Sequence, residues 1–108
     1  MVLEELSKTI EYRKETPKEG SYTNYLLDKG LDKILKKVGE ETAETIIAAK
    51  NPGTEELVGE LADLMYHLSV LLAEKGLDWT PVFAELERRE LTEGNLKEKK
   101  HPEQIADY

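Results

Sequence analysis

One stretch of sequence decides the fold: LDKILKKVGEETAETIIAAK at residues 31–50, NPGT at 51–54 and EELVGELADLMYHLSVLLAEK at 55–75. Apolar residues recur three or four positions apart on both sides of the NPGT segment, which is the spacing of amphipathic helices. Pro52 and Gly53 are incompatible with a continuing helix, and Thr54 is a favourable N-cap residue. The stretch therefore predicts two long helices that pack antiparallel through a tight turn.

The rest of the chain also has helical periodicity. We predict four helical stretches, at roughly 2–14, 22–50, 54–75 and 79–90, with Gly30 as a candidate break in the second. Strict apolar alternation of the kind that strands show is absent. The expected fold is an all-α antiparallel bundle over residues 1–91, followed by a polar C-terminal tail at 92–108.

The composition excludes several classes of protein. The 108 residues include no cysteine, so a disulfide scaffold, a zinc-thiolate site and a thiol nucleophile are ruled out. No apolar run is long enough to span a bilayer, and the N-terminus lacks the pattern of a signal peptide, so we expect a cytoplasmic protein without a membrane partner. A net charge of −8 argues against binding to nucleic acid.

The predicted helices are few for a monomer. Both faces of the helix at 54–75 carry apolar residues, and so short a chain offers little surface to cover them. We therefore expect a homodimer, or a higher homo-oligomer, to complete the bundle.

Acidic residues mark the inner side of the predicted hairpin. Glu41 and Glu44 lie three apart and share a helix face, as do Glu60 and Asp63. Glu44 and Glu60 each lie about eight residues from the centre of the turn, and Glu41 and Asp63 about eleven. These acids border apolar stripes, although most glutamates on helices are merely solvated. The matched distances predict that the two pairs face each other.

Four carboxylates gathered in this way would repel one another. At ~6 Å and an effective dielectric constant of ~20, each pair costs on the order of 3 kcal/mol. A bound divalent cation removes the repulsion, and oxygen ligands favour hard ions, Mg²⁺ first and Mn²⁺ next. Because Mg²⁺ keeps positions open for phosphate oxygens, the cluster points to a phosphate-bearing substrate.

The motifs around these acids resemble a known family. They are Ser21-Tyr22-Thr23, the run from Lys29 through Val38-Gly39-Glu40-Glu41, and Glu60-Leu61-Ala62-Asp63 with Tyr66-His67 after it. Over about residues 5–90 the chain resembles phosphoribosyl-ATP pyrophosphohydrolases of histidine biosynthesis, within the MazG-like all-α NTP pyrophosphatase superfamily. The resemblance implies hydrolysis of phosphoribosyl-ATP to phosphoribosyl-AMP and pyrophosphate by a helical, metal-dependent homodimer.

The resemblance also implies roles for individual residues. The expected metal ligands are Glu41, Glu44, Glu60 and Asp63. Glu40 joins the same cluster as a ligand or as the base that orients water, so Glu40 and Glu41 are the candidate catalytic residues.

Candidate residues for substrate binding lie on either side of the break at Gly30. Lys37 and Lys33 precede Glu41 at helical spacing and are candidate phosphate contacts. Ser21, Tyr22 and Thr23 stand at a predicted helix start, where hydroxyls and free N–H groups bind phosphate or simply cap the helix. His67 is expected to be a packed histidine beneath the site.

Two other functions fit the acidic motifs. A house-cleaning pyrophosphatase for dUTP or non-canonical nucleotides would use the same carboxylates and differ only in substrate contacts. A helical dimerisation module without catalysis would carry the acids as a solvated surface. The small-molecule nucleotide substrate is favoured because the Ser21-Tyr22-Thr23 and Lys37-Val38-Gly39-Glu40-Glu41 motifs accompany the acids.

Overall fold

A computed structural model describes residues 1–91 of the chain. Within this part there are five α-helices and no strand: α1 (Val2–Glu15), α2 (Tyr22–Lys29), α3 (Leu31–Lys50), α4 (Glu55–Glu74) and α5 (Thr80–Leu91). The predicted all-α class is confirmed. Helices α1 to α4 form one compact unit that ends at Asp78, and a second unit begins at Trp79. The predicted tail at 92–108 lies outside the described residues.

Helices α3 and α4 form the predicted hairpin and make the most extensive contact between any two helices of the described chain. Gly53 takes a φ of 85° in the turn, a conformation that favours glycine. The Asn51 side chain donates a 2.8 Å hydrogen bond to Glu56 Oε1 and closes the turn. Thr54 occupies the N-cap position as predicted, but its hydroxyl accepts no capping hydrogen bond.

The predicted break at Gly30 separates two complete helices. Its φ of 90° and ψ of −171° are open only to glycine, and they redirect the chain between α2 and α3. The Gly30 N–H donates to Leu26 O at 3.0 Å, and Gly30 O accepts from the Ile34 N–H at 3.1 Å. The leading segment is therefore a separate helix of eight residues, and the stretch predicted at 22–50 is two helices joined at Gly30.

The core of the first unit draws on all four of its helices. Its buried residues are Ile10 of α1, Leu26 of α2, Ile34 of α3, and Val70 and Ala73 of α4. The loop between α1 and α2 is tied down by Asn24, whose Nδ2 donates to Arg13 O and whose Oδ1 accepts from the Lys18 N–H, both at 2.9 Å. This anchoring fixes α2 beside the hairpin.

The second unit contains an aromatic stack and a pair of salt bridges. The rings of Trp79 and Phe83 stack with their centres 5.7 Å apart, as their spacing of four residues allows. Glu85 Oε2 accepts from Arg88 at 2.7 Å and from Arg89 at 2.8 Å, and these two guanidinium groups lower the pKa of Glu85 to about 2. No helix among residues 1–91 is long and apolar enough to cross a membrane.

Candidate active site

Three carboxylates meet where α3 and α4 face each other. One oxygen each from Glu41, Glu60 and Asp63 lies within 4.8 Å of the other two. The three acids differ in burial: Glu41 is only 6% exposed, Glu60 is half-buried and Asp63 is exposed. The hairpin thus brings together acids from both helices, as the distances from the turn predicted.

Two oxygens of this cluster are buried without a partner. Glu41 Oε2 and Glu60 Oε2 have no hydrogen-bond partner within residues 1–91. Buried carboxylate oxygens are costly unless a donor or a cation satisfies them. The donor set contains oxygen only, which suits Mg²⁺ or Mn²⁺. On these grounds the residues fit a hard divalent cation.

The electrostatics of the cluster show strong mutual repulsion. Burial raises the pKa of Glu41, and the neighbouring carboxyl of Glu44 and the charge of Asp63 act in the same direction. The carboxyl of Glu44, close enough to share a proton with Glu60, raises the pKa of Glu60 to about 7, with burial and Glu41 adding to the effect. The cluster therefore holds protons near neutral pH when no cation compensates its charge.

Glu44 and Glu40 flank this cluster in different ways. Glu44 is exposed and lies outside the set of three converging oxygens, but it interacts electrostatically with both Glu41 and Glu60. The half-exposed Glu40 carboxylate forms an ion pair with Lys37 at 3.3 Å. Both acids therefore lie beside the candidate metal position, and Glu44 is the nearer to its carboxylates.

Lys37 is the basic residue of the acidic cluster. Its Nζ is 3.9 Å from Glu41 Oε1. The other oxygen of the same carboxylate, Oε2, is the one that has no partner among residues 1–91. Partial burial lowers the pKa of Lys37, but the hydrogen bond to Glu40 and the charges of Tyr22, Glu40 and Glu41 outweigh it and raise this pKa. Lys37 therefore stays protonated, and one side of the cluster has its counter-charge within the protein.

The three hydroxyls of residues 21–23 are all engaged within the protein. Ser21 Oγ caps α2 by accepting a 3.1 Å hydrogen bond from the Asn24 N–H. Thr23 Oγ1 is hydrogen-bonded to the Tyr66 hydroxyl, whose pKa is raised by burial. Tyr22 Oη lies 3.0 Å from His67 Nε2. These contacts hold α2 against α4, and a role of the hydroxyls in binding phosphate stays a prediction.

His67 connects Tyr22 to the acidic helix. Its Nδ1 is 2.7 Å from the main-chain oxygen of Asp63, which can only accept, so Nδ1 carries the proton. In the neutral ring Nε2 is then an acceptor, and the Tyr22 hydroxyl donates to it. At 5% exposure His67 is the packed histidine that the sequence predicted.

Lys33 lies outside the carboxylate cluster. Its Nζ is 5.8 Å from the ring centre of Tyr25, and Lys29 Nζ is at the same distance from that ring. Sequence reasoning assigned no role to Tyr25 or Tyr66. Their positions three residues after Tyr22 and three after Asp63, on the same helix faces as those residues, were the available signal.

Comparison with known proteins shows the family of this chain. The family model for phosphoribosyl-ATP pyrophosphohydrolase matches residues 3–90. A phosphoribosyl-ATP pyrophosphatase of Listeria welshimeri is 59% identical over 104 residues, which cover 96% of this chain and 100% of the relative. Enzymes of the same name from Lactiplantibacillus plantarum and Limosilactobacillus fermentum are 60% and 58% identical, over 82% and 90% of this chain and 83% and 92% of their own lengths. The chain belongs to the phosphoribosyl-ATP pyrophosphohydrolase family.

Proposed function

We propose that this chain hydrolyses phosphoribosyl-ATP to phosphoribosyl-AMP and pyrophosphate in histidine biosynthesis. Membership of the family supports the substrate. The observation that carries the chemistry is a pair of buried oxygens without a partner among residues 1–91, Glu41 Oε2 and Glu60 Oε2, in a cluster of acids drawn from both helices of the hairpin. A protein without a cation to bind would have little reason to keep them there.

The ligand set that we propose is Glu41, Glu60 and Asp63, with Glu44 at its edge. The preferred ion is Mg²⁺, and Mn²⁺ is the second choice, because every available donor is a carboxylate oxygen. When bound, such an ion neutralises phosphate charge as a Lewis acid and lowers the pKa of a coordinated water.

The chain's own side chains supply the remaining chemistry. Lys37, held by Glu40 and Glu41, presents its ammonium group beside the position of the triphosphate and offsets its negative charge. Glu40 is exposed and can accept the proton of a water whose oxygen forms a bond to the α phosphorus. The phosphoanhydride bond then breaks, and pyrophosphate leaves with the electron pair.

The substrate is tested by measuring kcat/KM for phosphoribosyl-ATP against a panel that includes ATP and dUTP, with Mg²⁺. We expect phosphoribosyl-ATP to be the best substrate. Equal or better turnover of dUTP would instead support a house-cleaning pyrophosphatase. Glu44→Gln should abolish turnover, whereas Glu11→Gln, at an exposed position of α1, should not change it. A chain that cleaves none of the nucleotides would fit a dimerisation module without catalysis.

We further propose that the enzyme is a homodimer. Large apolar side chains project into solvent at the turn end of the hairpin: Ile46 is 63% exposed, Ile47 61% and Val58 64%. Exposed large apolar residues grouped at one end of a hairpin are typical of an interface, and a second copy of the same hairpin would cover them. Light scattering should show a dimer that Ile47→Glu/Val58→Glu converts to monomer. Val2→Glu, the same change at an exposed apolar residue of α1, should leave the dimer intact.

A further inference from the structure

An exposed aromatic residue extends the active site along α2. Tyr25 stacks on Tyr22, with ring centres 6.0 Å apart and planes inclined by 20°. The Tyr22 hydroxyl is in turn hydrogen-bonded to His67, and His67 is hydrogen-bonded to the main-chain oxygen of Asp63. A short chain of contacts therefore connects the acidic helix to the Tyr25 ring, which is 43% exposed and available to a ligand.

Two lysines converge on this ring. The Nζ atoms of Lys29 and Lys33 each lie 5.8 Å from the Tyr25 ring centre. In contrast to Lys37, neither lysine forms an ion pair with any of residues 1–91. In a chain with a net charge of −8, two uncompensated ammonium groups beside one aromatic ring form a local site of positive charge.

A groove beside the same ring offers room for a sugar. It has a volume of about 620 Å³ and runs along the loop between α1 and α2, where Ser21, Tyr22, Asn24, Tyr25 and Asp28 line it. Asp28 supplies a carboxylate to the lining, and acidic residues accept hydrogen bonds from ribose hydroxyls in nucleotide-binding proteins. The groove is therefore suited to a ribose, and the neighbouring lysines to a phosphate on that ribose.

The distance between Lys33 and the carboxylate cluster suits a substrate with anionic groups at both ends. Lys33 precedes Glu41 by eight residues, or about 12 Å along the axis of α3. Phosphoribosyl-ATP carries a triphosphate at one end and a single phosphate on its second ribose at the other. A plain nucleoside triphosphate has no second phosphate.

We propose that Tyr25, Lys29 and Lys33 form the subsite for the phosphoribosyl group, with both lysines binding its phosphate. This inference rests on the proposed function and adds the means by which the enzyme distinguishes its substrate from ATP. The triphosphate binds at the carboxylates and Lys37, and the phosphoribosyl group lies beside Tyr25.

The test is the double variant Lys29→Gln/Lys33→Gln, with Mg²⁺ and the full chain. We expect KM for phosphoribosyl-ATP to rise about 10- to 100-fold, the range for losing charge-assisted hydrogen bonds, with kcat within about threefold. Pyrophosphate, a product that occupies only the triphosphate end, should inhibit the variant and the wild type equally. Lys29→Arg/Lys33→Arg should restore most of the affinity, and Lys36→Gln, an exposed lysine of α3, serves as the control.

Two results would overturn the subsite. One is an unchanged KM for phosphoribosyl-ATP in the double variant. The other is a parallel rise in KM and in the inhibition constant of pyrophosphate, which would mean a structural or general electrostatic effect. Binding of ribose 5-phosphate, measured by calorimetry without turnover, should weaken by the same factor in the double variant. Failure of the proposed function would appear separately, as absent turnover of phosphoribosyl-ATP by the wild type.

Discussion

The carboxylate cluster predicts an unusual response to Asp63→Asn: without metal, removing this acid should stabilise the protein. The cluster oxygens lie within 4.8 Å of one another. Two unit charges at that distance repel by about 1 kcal/mol in bulk water and by about 3 kcal/mol at an effective dielectric constant of ~20. Because Asp63 is exposed, the lower of these two energies, about 1 kcal/mol, applies to its repulsion with Glu41.

The expected change can be measured by thermal melting. Each kcal/mol shifts the Tm of a small domain by roughly 4–8 °C, so Asp63→Asn should raise the Tm by about 4 °C or more. The melt is recorded at pH 8, above the raised pKa of Glu60, and at low ionic strength with a chelator, so that charges are weakly screened. The substitution leaves in place the main-chain oxygen that is hydrogen-bonded to His67, so no hydrogen bond among residues 1–91 is lost.

Added Mg²⁺ should reverse the order of stability. At a concentration of 100 Kd the ion stabilises the wild type by about 2.7 kcal/mol, or roughly 11–22 °C by the same conversion. A tenfold weaker affinity in Asp63→Asn would remove about 1.4 kcal/mol of this gain. The reasoning is refuted if the variant melts at or below the wild-type Tm in chelator, or if it keeps the full shift with Mg²⁺. Glu11→Gln, an acid of α1 remote from the cluster, is the control and should change neither value.

Three further predictions follow from other contacts. In chelator, stability should fall as the pH rises from about 4.5 to about 7, because folded Glu60 keeps a proton that the unfolded chain has already released; melts across this range test it. Gly30→Ala should cost about 1–3 kcal/mol in denaturant titrations, because a φ of 90° strains alanine although the space around the new methyl group is open. Tyr22→Phe should cost about 1–3 kcal/mol in the same assay, because the buried His67 Nε2 loses its only donor within residues 1–91.

The sequence was sufficient to place the acids because helices are rigid and the turn is short. Once α3 and α4 were recognised as a hairpin, the residue count from the turn determined which acids are level with each other. The structure confirms this for Glu41, Glu60 and Asp63, whose oxygens converge. Counting placed Glu44 in the same set; it lies outside the three converging oxygens, although its carboxyl is close enough to Glu60 to raise the pKa of Glu60.

The contacts of α2 could not be predicted in this way. Gly30 was recognised as a candidate break, but composition does not specify its ψ of −171°, and this angle sets the direction of α2. The hydrogen bond between Tyr22 and His67 joins residues 45 apart in sequence and depends on that direction. For the same reason the approach of Lys33, on α3, to Tyr25, on α2, appears only in three dimensions.

The position of Glu41 shows how closely the fold and the site depend on each other. The buried residues of α3 are Ile34, Glu41 and Ala48, spaced seven apart along one face of the helix. A helical bundle would normally fill the middle of such a row with an apolar residue, so the acid lowers the stability of the metal-free chain. Lys37 compensates the charge on Glu41 Oε1, and Glu41 Oε2 is left for a cation. If Asp63→Asn stabilises the metal-free protein as expected, the cation is then both a cofactor and part of what holds the hairpin together.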